Sequence, residues 1–170
     1  MTKVVIEDET IRLCYTTEGD IDDVLSIEEV QHDHQKRRYV YLWSRERHLK
    51  SIEMKDELHL IIRASNSTEI IGYVILSGLE GKDDVISLDR IALKHKGKGY
   101  GRKCVRLIKE LCFNKLNCNR LWLDVFEYNE RAIKLYISEG FTHEGTLRKC
   151  KKHNNQYYSL NIMSILREEY

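Results

Sequence analysis

Residues 86–108, ISLDRIALKHKGKGYGRKCVRLI, constrain the fold more than any other stretch of the chain. An apolar run ends in three glycines within five positions. After them Val105, Ile108, Leu111 and Cys112 recur on one helical face. A strand that passes through a tight basic turn straight into an amphipathic helix must lay that helix back on its own sheet, which predicts an α/β layered domain. Gly97, Gly99 and Gly101 permit positive φ and a close backbone approach to a ligand. The unpaired N–H groups at the start of the helix then suit a phosphate, helped by the helix dipole and by Lys96, Lys98, Arg102 and Lys103. An ordinary glycine-rich loop with a solvated basic face fits the same residues.

The rest of the pattern extends this layout. Ile11–Tyr15 alternates as a strand, and a turn and cap at Gly19-Asp20 precede a helix carrying Ile21, Val24, Leu25 and Ile27 on one face. A second helix is predicted within His34 to Lys50. Leu58–Ala64 and Glu69–Ser77 read as a hairpin across Ser65–Thr68, and Val85–Leu93 follows as the strand that feeds the glycine loop. Asn119–Val125 is a strand, Glu130–Glu139 a helix, and Tyr157–Leu166 strand-like again. The expected architecture is a mixed, mostly antiparallel central sheet flanked by helices on both faces. No proline, linker composition or repeat interrupts it, so residues 1–170 are read as one domain.

Composition narrows the function classes. With 28 Lys and Arg against 27 Asp and Glu, the net charge of +1 supplies no global field for nucleic acid or an anionic membrane. Tyr39–Trp43 beside Lys36, Arg37 and Arg38 mixes aromatic and basic groups as a nucleic-acid surface does, but no nucleic-acid fold motif accompanies them; a role in shaping an acceptor pocket or packing a helix is preferred. No apolar run reaches membrane-spanning length and the N-terminus is too charged for a secretion signal, so a cytoplasmic protein is expected. The five cysteines form no CxxC pair and read as reduced core residues; with His32 and His34 lacking partner ligands, no metal is expected. The acidic run Glu18, Asp20, Asp22, Asp23, Glu28 and Glu29 suits a solvated helix face or the attraction of a cationic acceptor.

The loop is not a Walker sequence, which needs GxxxxGK(S/T), nor a dinucleotide fingerprint, whose last glycine would fall one residue later. Lys96-Gly97-Lys98-Gly99-Tyr100-Gly101 resembles the Q/R-x-x-G-x-G/A pyrophosphate loop of GNAT acyltransferases, with Lys in place of the planar Gln or Arg donor. Downstream, Asn129, Ala132, Leu135, Tyr136, Gly140 and Phe141 resemble the second half of that family's pattern, N-x-x-A-x-x-L-Y-x-x-x-G-F. The likeness runs through EGTLRK and MSILREEY, which resemble the branch of ribosomal-protein N-terminal and polyamine acetyltransferases; it covers about residues 70 to 170, with only general similarity over the first 55.

The resemblance implies acetyl-CoA as co-substrate and an amine acceptor, whether a polyamine, another small amine or a protein N-terminus. It places Asn129 on the cofactor, although a good N-cap needs no further role. Ile91, Ala92 and Leu93 would offer backbone groups to the pantetheine arm, and Tyr136 would protonate the departing thiolate, unless it is simply a core tyrosine. Neutralising a lysine-like or polyamine ammonium near pH 7.4 costs about 4 kcal/mol, against about 0.5 for an α-amino group. A carboxylate of ordinary acidity removes neither proton efficiently, so a raised pKa or a water relay is required. Asp124 matches the strand carboxylate that serves as base in the alanine acetyltransferases of this branch, one methylene shorter; Asp89 competes with it, and either could be a structural partner of Arg90 or Arg120. Arg148–His153 suits either the 3′-phosphate of coenzyme A or a hairpin loop. Dimerisation is common in the family. A non-catalytic acyl-CoA-binding or sensing module on the same fold is the alternative, and it needs neither Tyr136 nor a carboxylate.

Overall fold

The computed structural model describes residues 3–31 and 38–170. Among them, eight strands form one sheet: β1 (Val4–Glu7), β2 (Ile11–Tyr15), β3 (Glu57–Ala64), β4 (Ile70–Ser77), β5 (Val85–Leu93), β6 (Arg120–Phe126), β7 (Thr142–His153) and β8 (Gln156–Leu166). Their spatial order is β1-β2-β3-β4-β5-β6-β8-β7, and only the β5–β6 pair is parallel. Four helices accompany the sheet within the described residues: α1 (Ile21–Glu29), α2 (Arg45–Glu53), α3 (Tyr100–Glu110) and α4 (Glu130–Ser138).

Alternation along the central strands builds two cores. Leu60, Ile62, Val74 and Leu76 pack towards Val105, Ile108 and Leu111. Their neighbours Ile61, Tyr73 and Ile75 turn the other way, towards Val24 and Ile27 of α1. Burial on both faces is why β3 and β4 read as continuous apolar runs rather than as alternating ones.

Several local expectations change. The first helix is not capped by Gly19-Asp20 alone: the Thr17 N–H and hydroxyl donate to Asp20 Oδ2 at 2.8 and 2.7 Å, closing a 3₁₀ turn ahead of α1. The second helix starts only at Arg45, where the Ser44 hydroxyl accepts the Arg47 N–H at 3.2 Å. Residues 39–44 are neither helix nor strand, and the beginning of the predicted helix lies outside the described residues, as do His32, His34, Lys36 and Arg37. Arg148–His153 is not a hairpin loop but part of β7; the turn is Asn154-Asn155, both at positive φ (48° and 60°), the two-residue geometry that matches strand twist. Of the five cysteines four are buried, but Cys150 is exposed.

The pairing of the central strands is irregular in two places: β3 and β4 shift register between Ile62 and Arg63, and the second irregularity, between β4 and β5, shapes the site. On β4, Ile75 and Leu76 are consecutive, whereas their partners Arg90 and Leu88 are two apart, so Asp89 is an extra residue bulged out of β5. A bulge bends and over-twists its strand. The parallel ladder to β6 pairs only Val85–Ser87 with Arg120–Trp122 and ends just before the bulge. Beyond it β5 and β6 have no shared ladder, and a wedge opens between them.

Candidate active site

The wedge is the mouth of a cleft of about 1010 Å³. β5 contributes Asp89, Ile91, Ala92 and Leu93, β6 contributes Asp124, and α4 contributes Asn129 and Tyr136. Lys96, Gly97, Gly99, Tyr100, Gly101 and Arg102 close one end. Of the basic residues expected to help hold a phosphate, Lys98 and Lys103 do not line the cleft; Lys103 lies in α3 and donates to the Thr10 hydroxyl instead.

The glycine loop is held in an anion-receiving shape. Gly97 and Gly99 have φ of 84° and 76°, and a Cβ on either would meet no protein atom within 4 Å; the space above them is open to a ligand. Gly99 is the N-cap of α3 and offers no side-chain cap, so the first-turn N–H groups stay available. Gly101 differs from the expectation of positive φ: it lies in the first turn of α3, where a Cβ would approach Leu135 Cδ2 at 3.4 Å and Leu93 Cδ1 at 3.6 Å. Its smallness lets α3 pack closely on α4 and β5. Arg102 is partly committed, donating to Ser138 Oγ at 3.0 Å and pairing with Glu139 at 2.5 Å. Arg131 and Lys134 on α4 also line this end. Both were missed in the sequence, although their three-residue spacing on a helix that starts at Glu130 puts them on neighbouring turns.

Past Ser87 the edge of β5 that faces the cleft has no strand partner, which leaves main-chain groups for an extended ligand. Of the three residues expected to serve it, Leu93 already has a partner: its carbonyl accepts from Gln31 Nε2 at 3.0 Å. Asn129 does cap α4, its Oδ1 accepting the Ala132 N–H at 3.3 Å, and the residue also lines the cleft.

Asp124 is open to the cleft, yet the protein around it raises its carboxyl above the ordinary range; burial is the largest cause, the Lys151 ammonium opposes it, and the charge of Asp89 adds to it. Neither carboxylate forms an ion pair with Arg90 or Arg120. Arg90 pairs with Glu28 at 2.7 Å, and Arg120 pairs with Glu144. Tyr136 is buried, its ring packed 5.5 Å from that of Phe141. Burial, with Cys104 and Asp124 adding to it, pushes its phenol well above the usual range, which keeps it protonated. A proton acceptor of raised basicity and a proton donor thus face one cleft.

An aromatic wall completes the lining: Tyr39 lies under Lys96, 4.8 Å from its ammonium, while Tyr41, Trp43 and Phe126 continue away from it, with the Tyr41 and Phe126 rings 5.7 Å apart and Lys151 beside Asp124. The acidic run of the first helix does not act as one surface. Glu28 is 1% exposed, and Asp20 pairs with Arg63 at 3.0 Å. Among the described residues no cluster of three or more His, Cys, Asp or Glu could hold a metal, and no helix is long and apolar enough to cross a membrane.

Comparison with known proteins brings in the same chemistry. Residues 26–141 match the model of the acetyltransferase (GNAT) family. The chain is 34% identical over 80 residues to a spermidine N(1)-acetyltransferase of Vibrio cholerae, covering 47% of this chain and 46% of that one. It is 26% identical over 153 residues to a probable N-acetyltransferase of Bacillus subtilis, covering 89% of this chain and 74% of the relative. The match thus spans a little under half the length of the polyamine-acetylating relative. In fold, a Vibrio cholerae spermidine N-acetyltransferase crystallised with CoA and spermine superposes with a TM-score of 0.81 at 23% identity, covering 96% of this chain and 99% of that one.

Proposed function

The chain belongs to the acetyltransferase (GNAT) family, and from that premise we propose that it transfers the acetyl group of acetyl-CoA to a primary amine. The observation that carries the reading is the wedge between β5 and β6, which joins a phosphate-suited loop to a raised-pKa carboxylate and a protonated tyrosine.

The residues fit the cofactor. Open space above Gly97 and Gly99 and the uncapped start of α3 suit a pyrophosphate. Lys96, Arg131 and Lys134 add charge around it, and the free edge of β5 at Ile91 and Ala92 suits the amide-bearing arm. When bound, acetyl-CoA supplies a thioester whose acyl carbon accepts the amine and whose sulfur leaves as a thiolate. Asp124 takes the proton of the amine, through a water where the short side chain leaves a gap. Its raised pKa narrows the mismatch with an ammonium group. Tyr136 gives its proton to the sulfur, and its burial prevents ionisation in the resting state.

Polyamines are the acceptor class that the spermidine- and spermine-acetylating relatives suggest; Asp89 and Asp124 together offer two negative charges to a cationic acceptor. The aromatic wall suits the aliphatic spacer. A cytoplasmic, single-domain enzyme, as a monomer or a homodimer, completes the proposal. The test is release of free thiol from acetyl-CoA with spermidine, spermine and short peptides with free N-termini. Turnover with one class is expected, and Asp124→Asn should lower kcat about 100-fold while acetyl-CoA still binds. Unchanged turnover in that variant removes Asp124 from the chemistry, with Asp89→Asn as the next variant to measure. Tight acetyl-CoA binding with no turnover on any amine would favour the sensing module instead.

A further inference from the structure

Glu28 is the most enclosed carboxylate among the described residues, and it does not line the cleft. Three donors reach it: Tyr73 Oη at 2.6 Å, Arg90 Nη2 at 2.7 Å and the main-chain N–H of Trp43 at 3.0 Å. His48 Nε2 lies 3.2 Å away, without the alignment of a hydrogen bond. Burial opposes ionisation of this carboxyl, but the His48 and Tyr73 contacts and the Arg90 charge outweigh it and hold it at about 2. Arg90 also donates to the carbonyl of Tyr41. Its guanidinium lies 4.4 Å from the centre of the Trp43 ring, and that of Arg47 lies 3.9 Å from the same ring.

The consequence is geometric. Residues 41–43 belong to no helix or strand. Their main chain is fixed at both ends by the same ion pair: the Trp43 N–H through Glu28, the Tyr41 carbonyl through Arg90. Tyr41 and Trp43 both line the cleft; the Tyr41 ring lies 5.7 Å from that of Phe126 and 5.6 Å from the ammonium of Lys151, whose charge also acts on Asp124. A buried ion pair is rarely explained by stability alone, since well-packed apolar residues do as well or better; here it holds an otherwise irregular segment in one position. We propose that Glu28 is a positioning residue for acceptor binding, acting through Arg90 and the main chain to fix the Tyr41–Trp43 wall of the cleft.

The kinetic side of this proposal rests on the acetyltransferase reading; the placement of the wall does not. The experiment therefore has a spectroscopic arm. The chain has two tryptophans, so Trp122→Phe leaves Trp43 as the sole reporter. In that background Glu28→Gln should release the segment, giving a severalfold rise in acrylamide quenching of Trp43 and a red-shifted emission. For whichever amine is turned over, acceptor KM should rise roughly tenfold, the size of one charge-assisted hydrogen bond, with the Kd of acetyl-CoA unchanged. Should Glu28→Gln fail to fold because Arg90 is left unpaired, Glu28→Leu combined with Arg90→Met removes both charges together, and Trp43 should again be released. Native-like quenching of Trp43 in the folded variants overturns the proposal. So does a loss of acetyl-CoA affinity in step with the acceptor KM, which would mark general structural damage. If the parent acetylates no amine, the acetyltransferase reading fails and the Trp43 measurement still decides this one.

Discussion

The two ends of the cleft are built by different means. At the cofactor end the main working groups are main-chain N–H donors on a local loop within a few residues of Gly99, with partly solvated cations such as Arg102, and Arg131 and Lys134 from α4, around them. At the acceptor end an irregular segment is held by buried side chains from distant parts of the chain; Arg90 and Glu28 are 62 residues apart. The first arrangement tolerates change around it as long as backbone geometry survives. The second is cooperative, because removing one partner strands the others in low dielectric. One end therefore binds by shape of chain and the other by a packed network, so the two should fail independently.

Tyr136 stands between them and gives the largest test. Tyr136→Phe should lower kcat about 10²- to 10³-fold, the worth of a positioned acid, with acetyl-CoA Kd and acceptor KM both near native. A weakened Kd by titration calorimetry would instead assign the ring to cofactor packing. Next comes Gly99→Val. A β-branched residue at φ 76° is strained, and its side chain would occupy the space open to phosphate. Acetyl-CoA should bind about tenfold more weakly or worse, while Trp43 quenching stays native; a change in both would break the separation of the ends.

The shallowest effect is on stability in acid. Burial, aided by the charge of His48, lowers His59 to about 3 from the ordinary 6.5, while Glu28 sits at about 2 against 4.5. Between pH 6.5 and 3 unfolded His59 binds a proton that the folded protein refuses. From pH 4.5 down to about 2 the unfolded Glu28 carboxyl does the same. Both act in one direction, so stability should fall steadily as pH drops from 6.5, by at most about 1.4 kcal/mol per pH unit for each proton. Urea midpoints measured against pH would show it. His59→Gln should flatten the upper part of the fall, and an unaltered slope would remove His59 from the linkage.

Legibility followed the same divide. β3 and β4 were readable because burial on both faces leaves long apolar runs, and β5 and β6 because buried residues alternate along them. β7 was not recognised: THEGTLRKCKKH is an edge strand, nearly all exposed, and nothing in its side chains marks a buried face. β1, only four residues long, gave too short a pattern. The glycine loop and the Asn129–Tyr136 helix were legible because their chemistry is carried by neighbours in sequence. Glu28 read as one more acid on a helix, since nothing local distinguishes a carboxylate that meets Arg90, Tyr73 and Trp43 only in the folded chain.

The bulge at Asp89 also determines how such a cleft can be lost. Side chains alternate every second residue along a strand, so one surplus residue cannot be absorbed; it must be ejected, and the strand must bend. The opening between β5 and β6 is thus written in the number of residues between Ser87 and Arg90, not in their identity. Substitution at position 89 changes what the cleft does. Deleting a single residue there would bring β5 back to one-for-one pairing with β4, and the expected result is that β5 and β6 run on side by side and the working face of the molecule becomes closed sheet.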